Sequence, residues 1–279
     1  MSKVDTKERF SADWLSLREP ADHRSRSPLV LSQVRRWAVD HDLLRIIDLG
    51  CGSGSNLRYL CPRLSVRQHW VCVDQDPELI DRLTATLPSS PQLAGLSTRV
   101  DRLQTQGLLA DIDSRTLVTA SALLDLVSED WLADLVAACH RSGAALLVAM
   151  TYDGRVEIHP ENPSDGWILD RFDRDQRRDK GLGPALGPTA AQRLQALAEA
   201  QGFKVHQSRS DWLLDGDDRD LMTQLIEGWA EAVSRQAPSE TDRIEAWHRQ
   251  RRQDLVSRTL SIRVGHQDLF LEPSFPSRP

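Results

Sequence analysis

The chain has 279 residues, 40% of them hydrophobic and 27% charged, with 35 Lys and Arg against 41 Asp and Glu for a formal net charge of −6. That length suits one large domain or a domain with a cap, with enough apolar residues to fill its core. An acidic balance disfavours the phosphate contacts of nucleic-acid binding, and the arginines within 171–180 and 249–252 are interleaved with acids or lie on a helical pattern, as a solvated face would have them.

In chain order, residues about 11 to 41 read as helical, broken near Glu19-Pro20 and restarted after Ser27-Pro28, with Leu29, Val30, Val34, Trp37 and Ala38 forming an apolar stripe. This segment is expected to pack across a cleft or the sheet. Leu44 to Ile47 is a short apolar strand that runs into Asp48-Leu49-Gly50-Cys51-Gly52-Ser53-Gly54-Ser55-Asn56, then a helix to about Leu64. Trp70 to Val73 is the second strand, closed by Asp74. Asp76-Pro77 starts a helix as N-cap and first-turn proline, with Leu79, Ile80, Leu83 and Leu87 as its face. Leu96 to Val100, Thr116 to Ala120 and Ala144 to Thr151 give three more strands, with an amphipathic helix near Asp130 to His140. Thr189 opens a helix that stops at Gly202. Phe203 to Val205 begins strand six and Ser261 to Leu271 supplies strand seven, separated by helices at about Asp218 to Arg235 and Ser239 to Val256. Alternating strands and helices imply a mostly parallel α/β sheet with helices on both faces.

Three glycines between a strand and a helix allow positive φ and close backbone approach to a ligand, and the helix start presents free amides. Asp74 stands twenty residues after Gly54, the spacing at which an open α/β sheet sets a carboxylate against a ribose diol. Together these indicate a nucleoside-containing cofactor. The glycines fall as G-x-G-x-G rather than G-x-G-x-x-G, and the carboxylate of Asp48 before them would repel a pyrophosphate but suits an ammonium group.

On these residues the chain resembles the class I S-adenosylmethionine-dependent methyltransferases, whose first motif reads like Asp48-Leu49-Gly50-x-Gly52-x-Gly54. The stretches Asp179-Lys180-Gly181-x-Gly183-Pro184-Ala185 and Trp14-Leu15-x-Leu17-Arg18-Glu19-Pro20 are similar to those of a bacterial subgroup of unassigned substrate. The resemblance implies a Rossmann-like seven-stranded sheet in the order 3-2-1-4-5-7-6 with strand seven antiparallel, and S-adenosylmethionine as cofactor. It implies that the glycine loop lies along the amino acid and sugar of the cofactor and that Asp74 holds both ribose hydroxyls. It also implies that Asp101 meets the adenine amino group, and that Thr119 to Val127, with Ser121 and Asp125, lies beside the sulfonium and the acceptor. Arg18 is the candidate for the cofactor carboxylate, with pairing to Glu19 or Asp22 as its alternative. Asn56 and Gln75 complete the cofactor set.

Asp125 is an acid among apolar neighbours and needs a partner, whether acceptor, cofactor or structural ion pair. After strand five, Tyr152 and Asp153 are expected to line an acceptor pocket, with Asp125 or Asp153 as base. The glycine- and proline-rich run from Gln176 to Pro188 reads as a lid from which Gln176, Asp179 and Lys180 reach the acceptor, or else as a salt-bridged surface loop.

The domain plan is therefore an N-terminal helical cap over 1–42 and a cofactor-binding domain over 43–279, with a lid insertion at about 152–188 and a helical insertion at about 218–256. No N-P-P-[YF] motif follows strand four, so a small-molecule acceptor methylated on O or N is expected, as a monomer or homodimer. The same fold and cofactor also serve aminopropyl transfer, cofactor cyclisation and non-catalytic binding partners. Cys51, Cys61, Cys72 and Cys139 form no C-x-x-C pair and the eight histidines no H-x-x-x-H pattern, so free thiols and no metal are expected. With no stretch of ~18 apolar residues and no apolar signal core at the N-terminus, neither a membrane span nor export is expected, and the cytoplasm is the expected location.

Overall fold

The computed structural model describes residues 11–103, 107, 109–110 and 112–274, so the first ten residues of the predicted cap lie outside the described residues. Two helices lead in, α1 (Ala12–Ser25) and α2 (Pro28–Ala38), capped by the Ser11 and Ser27 hydroxyls, which accept from the amides of Trp14 and Val30. The predicted break at Glu19-Pro20 is absent, and α1 runs through Pro20. A proline inside a helix costs about 3 kcal/mol. Here the bidentate Arg18–Asp22 pair spans it and Ala21 is buried against the core, so tertiary contact outweighs local preference.

The sheet contains β1 (Leu43–Leu49), β2 (Arg67–Asp74), β3 (Leu93–Val100), β4 (Thr116–Ser121), β5 (Ala145–His159), β6 (Lys204–Arg209), β7 (Trp212–Leu214) and β8 (Ser261–Glu272), in the order β3-β2-β1-β4-β5-β8-β6. The first five pair in parallel, and β8 runs antiparallel between β5 and β6. This is the expected 3-2-1-4-5-7-6 arrangement with one strand added. Short β7 pairs the N-terminal half of β8 on the edge where β6 pairs the C-terminal half.

Alternation along each strand assigns its two faces. Leu44 and Ile46 join Trp70, Leu147 and Phe270 in a layer with α2, α3 (Ser55–Leu60) and α4 (Pro77–Ala85). Ile47, Leu49, Val118 and Leu146 face α5 (Glu129–Ser142) and α7 (Ala190–Ala200). A third core lies beyond the carboxyl ends of β4 and β5. There α1, α6 (Asp165–Gln176), α8 (Arg219–Gln236) and α9 (Thr241–Val256) pack around Tyr152, Trp212, Trp229 and Trp247.

Two features depart from the sequence reading. β5 continues past Thr151 to His159, with register shifts after Val148 and Tyr152, and pairs β8 throughout. The predicted lid also contains a full helix, α6, whose Ile168 is completely buried. Arg251 ties this helical unit together. Its buried guanidinium donates to both carboxylate oxygens of Asp165 (2.9 and 2.7 Å), to Asp254 (2.9 Å) and to the Pro160 carbonyl (2.7 Å).

Candidate functional site

The carboxyl end of β1 delivers the glycine loop beneath α1. Gly50, Gly52 and Gly54 have φ of +65°, +52° and +90°, a region in which a side chain is strained. Space is equally restrictive: a Cβ on Gly52 would sit 3.1 Å from Leu15 Cδ1 of the cap, and one on Gly54 2.8 Å from Leu83 Cγ. The loop borders a cavity of about 420 Å³ whose walls include Leu15, Arg18, Asp48, Gly50, Gly52, Asn56, Asp74, Gln75 and Ser121.

Asp48 is held in a buried chain of hydrogen bonds. Its Oδ1 accepts from Asn56 Nδ2 at 2.8 Å, Asn56 Nδ2 also reaches Thr119 Oγ1 at 3.2 Å, and Asn56 Oδ1 accepts from Arg26 at 3.0 Å. Arg26 pairs with Asp268 at 3.4 Å. The other oxygen of Asp48 has no partner among the described residues. Burial, only partly offset by Asn56 and Arg26, pushes its pKa up to about 7. Asp74 closes β2 with its carboxylate aimed back at the loop, where it accepts from the amides of Gly52 (2.8 Å) and Asp76 (3.0 Å). Burial raises its pKa as well.

A second cavity of about 460 Å³ adjoins the first and shares Arg18, Ala122, Leu126 and Lys180 with it. Asp125, Tyr152, Gln176 and His266 line it, among Trp14, Phe172, Trp212 and Trp229. Burial lifts the pKa of Asp125, against the lowering influence of Lys180 and Arg18. The Tyr152 hydroxyl donates to Asp173 at 2.8 Å, and burial followed by the Asp173 charge drives its pKa upward. Lys180 donates to Gln176 at 2.6 Å. Ala122, just past β4, and Met150, at the first register shift within β5, have φ of +53°. Such backbone strain occurs at ligand sites, and Asp268 supports it by accepting from the Met150 amide at 2.9 Å.

Four sequence candidates lie off the cavity walls. Gly54 N-caps α3 behind the loop. Asp101 pairs with Arg99 at 2.9 Å, while its neighbours Arg102 and Leu103 line the first cavity. Asp153 is bound to Arg155 (2.6 Å) and Gln267 (2.7 Å). Because β5 extends through this point, Tyr152 and Asp153 emerge on opposite faces, so only Tyr152 reaches the pocket. Asp179 accepts from the Gly181 amide at 2.7 Å and stabilises its own turn.

Sequence reading missed His266 and Asp268. Both lie on the buried face Ile262, Val264, His266, Asp268, Phe270 of β8, and two polar residues within an apolar alternation were the available signal. Among the described residues no group of His, Cys, Asp and Glu is arranged to hold a metal, all four cysteines are buried and free, and no helix is long and apolar enough to cross a membrane.

Residues 46–143 match the family model described as a methyltransferase domain. No curated protein sequence matches the chain. Among solved structures, a cyclopropane-fatty-acyl-phospholipid synthase-like protein from Lactobacillus casei ATCC 334 is 13% identical with a TM-score of 0.53, covering 94% of each chain, and shows the same fold. A SAM-dependent methyltransferase from Thiobacillus denitrificans in complex with S-adenosyl-L-homocysteine is 12% identical (TM-score 0.47; 95% of this chain, 100% of that one). The cyclopropane synthase MmaA2 from Mycobacterium tuberculosis is 13% identical (TM-score 0.47; 96% and 100%).

Sheet order and glycine loop give the chain the Rossmann-like methyltransferase fold, with the methyltransferase-domain match over residues 46–143. The residues present fit S-adenosylmethionine: an unpartnered buried carboxylate oxygen on Asp48 matches an ammonium, and the side-chain-free loop leaves room for the backbone of such a ligand.

Proposed function

We propose that the chain is a class I S-adenosylmethionine-dependent methyltransferase that acts on an O or N atom of a small-molecule acceptor held in the second cavity, by direct in-line displacement. The observation that carries the proposal is the direct junction of the two cavities through Arg18, Ala122, Leu126 and Lys180. About 460 Å³ is the size of a small-molecule site. Bound S-adenosylmethionine supplies a methyl group already activated on a sulfonium.

The protein's task is to bind, align and remove a proton. In this reading Asp48 meets the cofactor ammonium, Asp74 the ribose hydroxyls, the Gly50 and Gly52 backbone the cofactor chain, and Arg18 the carboxylate, with Gln75 and Ser121 completing the wall. Asn56 acts through Asp48 by holding its other oxygen. Asp125 receives the acceptor proton, since burial moves a carboxylate toward the basicity that task requires. Tyr152, tied to Asp173, orients the acceptor, and Gln176 and Lys180 close over it. Of the N-terminal segment 1–42, the described residues 11–42 then form a cap over the cofactor, and the segments 152–188 and 218–256 build the acceptor side.

The test is incubation of the purified protein with S-adenosylmethionine and a panel of small hydroxyl and amine compounds, with product analysis. S-adenosylhomocysteine together with a methylated acceptor is expected; methylthioadenosine would overturn the proposal in favour of aminopropyl transfer or cyclisation. Asp125→Asn should lower turnover by roughly 100-fold or more while leaving cofactor affinity within about twofold.

A further inference from the structure

The second cavity is bounded by a continuous chain of aromatic rings. Trp229 meets Phe172 with centroids 6.1 Å apart, Phe172 meets Tyr152 at 6.0 Å, Tyr152 meets His266 at 6.3 Å, and His266 meets Trp212 at 4.9 Å. These elements come from α6, α8, β5, β7 and β8, so the ring wall is built by tertiary structure rather than by one amphipathic segment. Such faces and edges complement another π system in offset or edge-to-face contact.

A ring wall also suits a cation, but Arg18 already takes that role: its guanidinium carbon lies 5.0 Å from the Trp212 ring centroid. Its charge is paired with Asp22, and it covers the Trp212 face on which a second cation would have to sit. A neutral ring meets no such competition at the faces and edges that remain.

One polar group in the wall is left open. His266 is 4% exposed and its Nδ1 lies 3.0 Å from the Val264 carbonyl, which can only accept, so the proton is on Nδ1. Burial, with Arg18 next in effect, lowers its pKa to about 4, so the ring is neutral at pH 7 against the opposing influence of Asp22 and Asp153. Nε2 is then a lone-pair acceptor with no partner among the described residues. Whatever fills the cavity should present it with a donor.

We propose that the acceptor is a neutral planar aromatic compound that donates a hydrogen bond to His266 Nε2 from a ring hydroxyl or N–H. This rests on the second cavity being the acceptor site. Calorimetry on the full chain with four probes tests it: 2-naphthol, 2-methoxynaphthalene, trans-decahydro-2-naphthol and 2-naphthylmethylammonium. 2-Naphthol is expected to bind at least about tenfold more tightly than each of the others. His266→Phe keeps a ring of similar size but removes the acceptor, and should bring naphthol and its methyl ether to equal affinity.

Equal binding of the saturated alcohol, tightest binding of the ammonium, or no binding of any probe at millimolar concentration would overturn the proposal. Should His266→Phe fail to fold, equal affinities of naphthol and ether for the unsubstituted protein would overturn it as well. Failure of the methyltransfer reading would be seen separately, as absence of S-adenosylmethionine binding in the same calorimeter or of S-adenosylhomocysteine among the products.

Discussion

Replacing Asp48 with Asn isolates the electrostatic core of the proposed cofactor site. The carboxylate is 1% exposed, one oxygen is satisfied by Asn56 and the other by nothing among the described residues, and its pKa is about 7. If the free oxygen receives the cofactor ammonium, only the ionised form binds well. With that pKa the ionised fraction rises from about 3% at pH 5.5 to about 50% at pH 7, while an α-amino group stays charged across the window.

S-adenosylmethionine affinity should therefore strengthen about 15-fold over this range, or about 1.6 kcal/mol, with net proton release on binding near pH 6. The sign for stability is opposite. A carboxyl whose pKa is raised in the folded state binds more protons folded than unfolded, so its contribution falls as pH climbs from 3.8 to about 7 and is level above that. Calorimetry at several pH values, in buffers of different ionisation enthalpy, reads both affinity and proton release. Asp48→Asn should bind weakly with no such slope. A flat profile in the unsubstituted protein, or the same slope in the Asn variant, would refute the assignment.

Gly52→Val should reduce cofactor affinity by roughly tenfold or more, since it adds bulk 3.1 Å from Leu15 at φ +52°; circular dichroism should show the fold retained. Asp74→Ala removes the partner of the Gly52 and Asp76 amides along with the proposed ribose contact, and should weaken binding by about 1.5 to 3 kcal/mol by titration. Arg251→Met strands the partly buried carboxylates of Asp165 and Asp254, and urea denaturation should report a loss of about 3 kcal/mol or more.

The parallel half of the fold was legible because most of its strands are short buried apolar runs punctuated by capping residues: Asp76-Pro77, Thr189 and Gly202 mark boundaries that the structure keeps within a residue or two. The glycine loop was equally legible, since positive φ leaves a direct imprint on residue choice. The second cavity was not. Its wall gathers Trp14, Tyr152, Trp212, Trp229 and His266 from five elements, and sequence separation hides that convergence. Asp153 and Tyr152 were read as a pair because β5 was expected to stop at Thr151; pairing with β8 carries it on and turns Asp153 away. Pro20 misled for the opposite reason, a strong local signal overridden by the Arg18–Asp22 pair and the burial of Ala21. Helix α6 had its signal in Ile168, Phe172 and Asp175, obscured by the charged residues between them.

The central claim is that the glycine-loop cleft holds S-adenosylmethionine with its reactive end toward the ring-lined cavity. A crystal structure with S-adenosylhomocysteine tests it most directly. The account predicts the ligand's ammonium about 3 Å from the free Asp48 oxygen, its ribose on Asp74 and its sulfur turned toward Asp125. A ligand seated elsewhere, or one whose sulfur faces away from the second cavity, would contradict it.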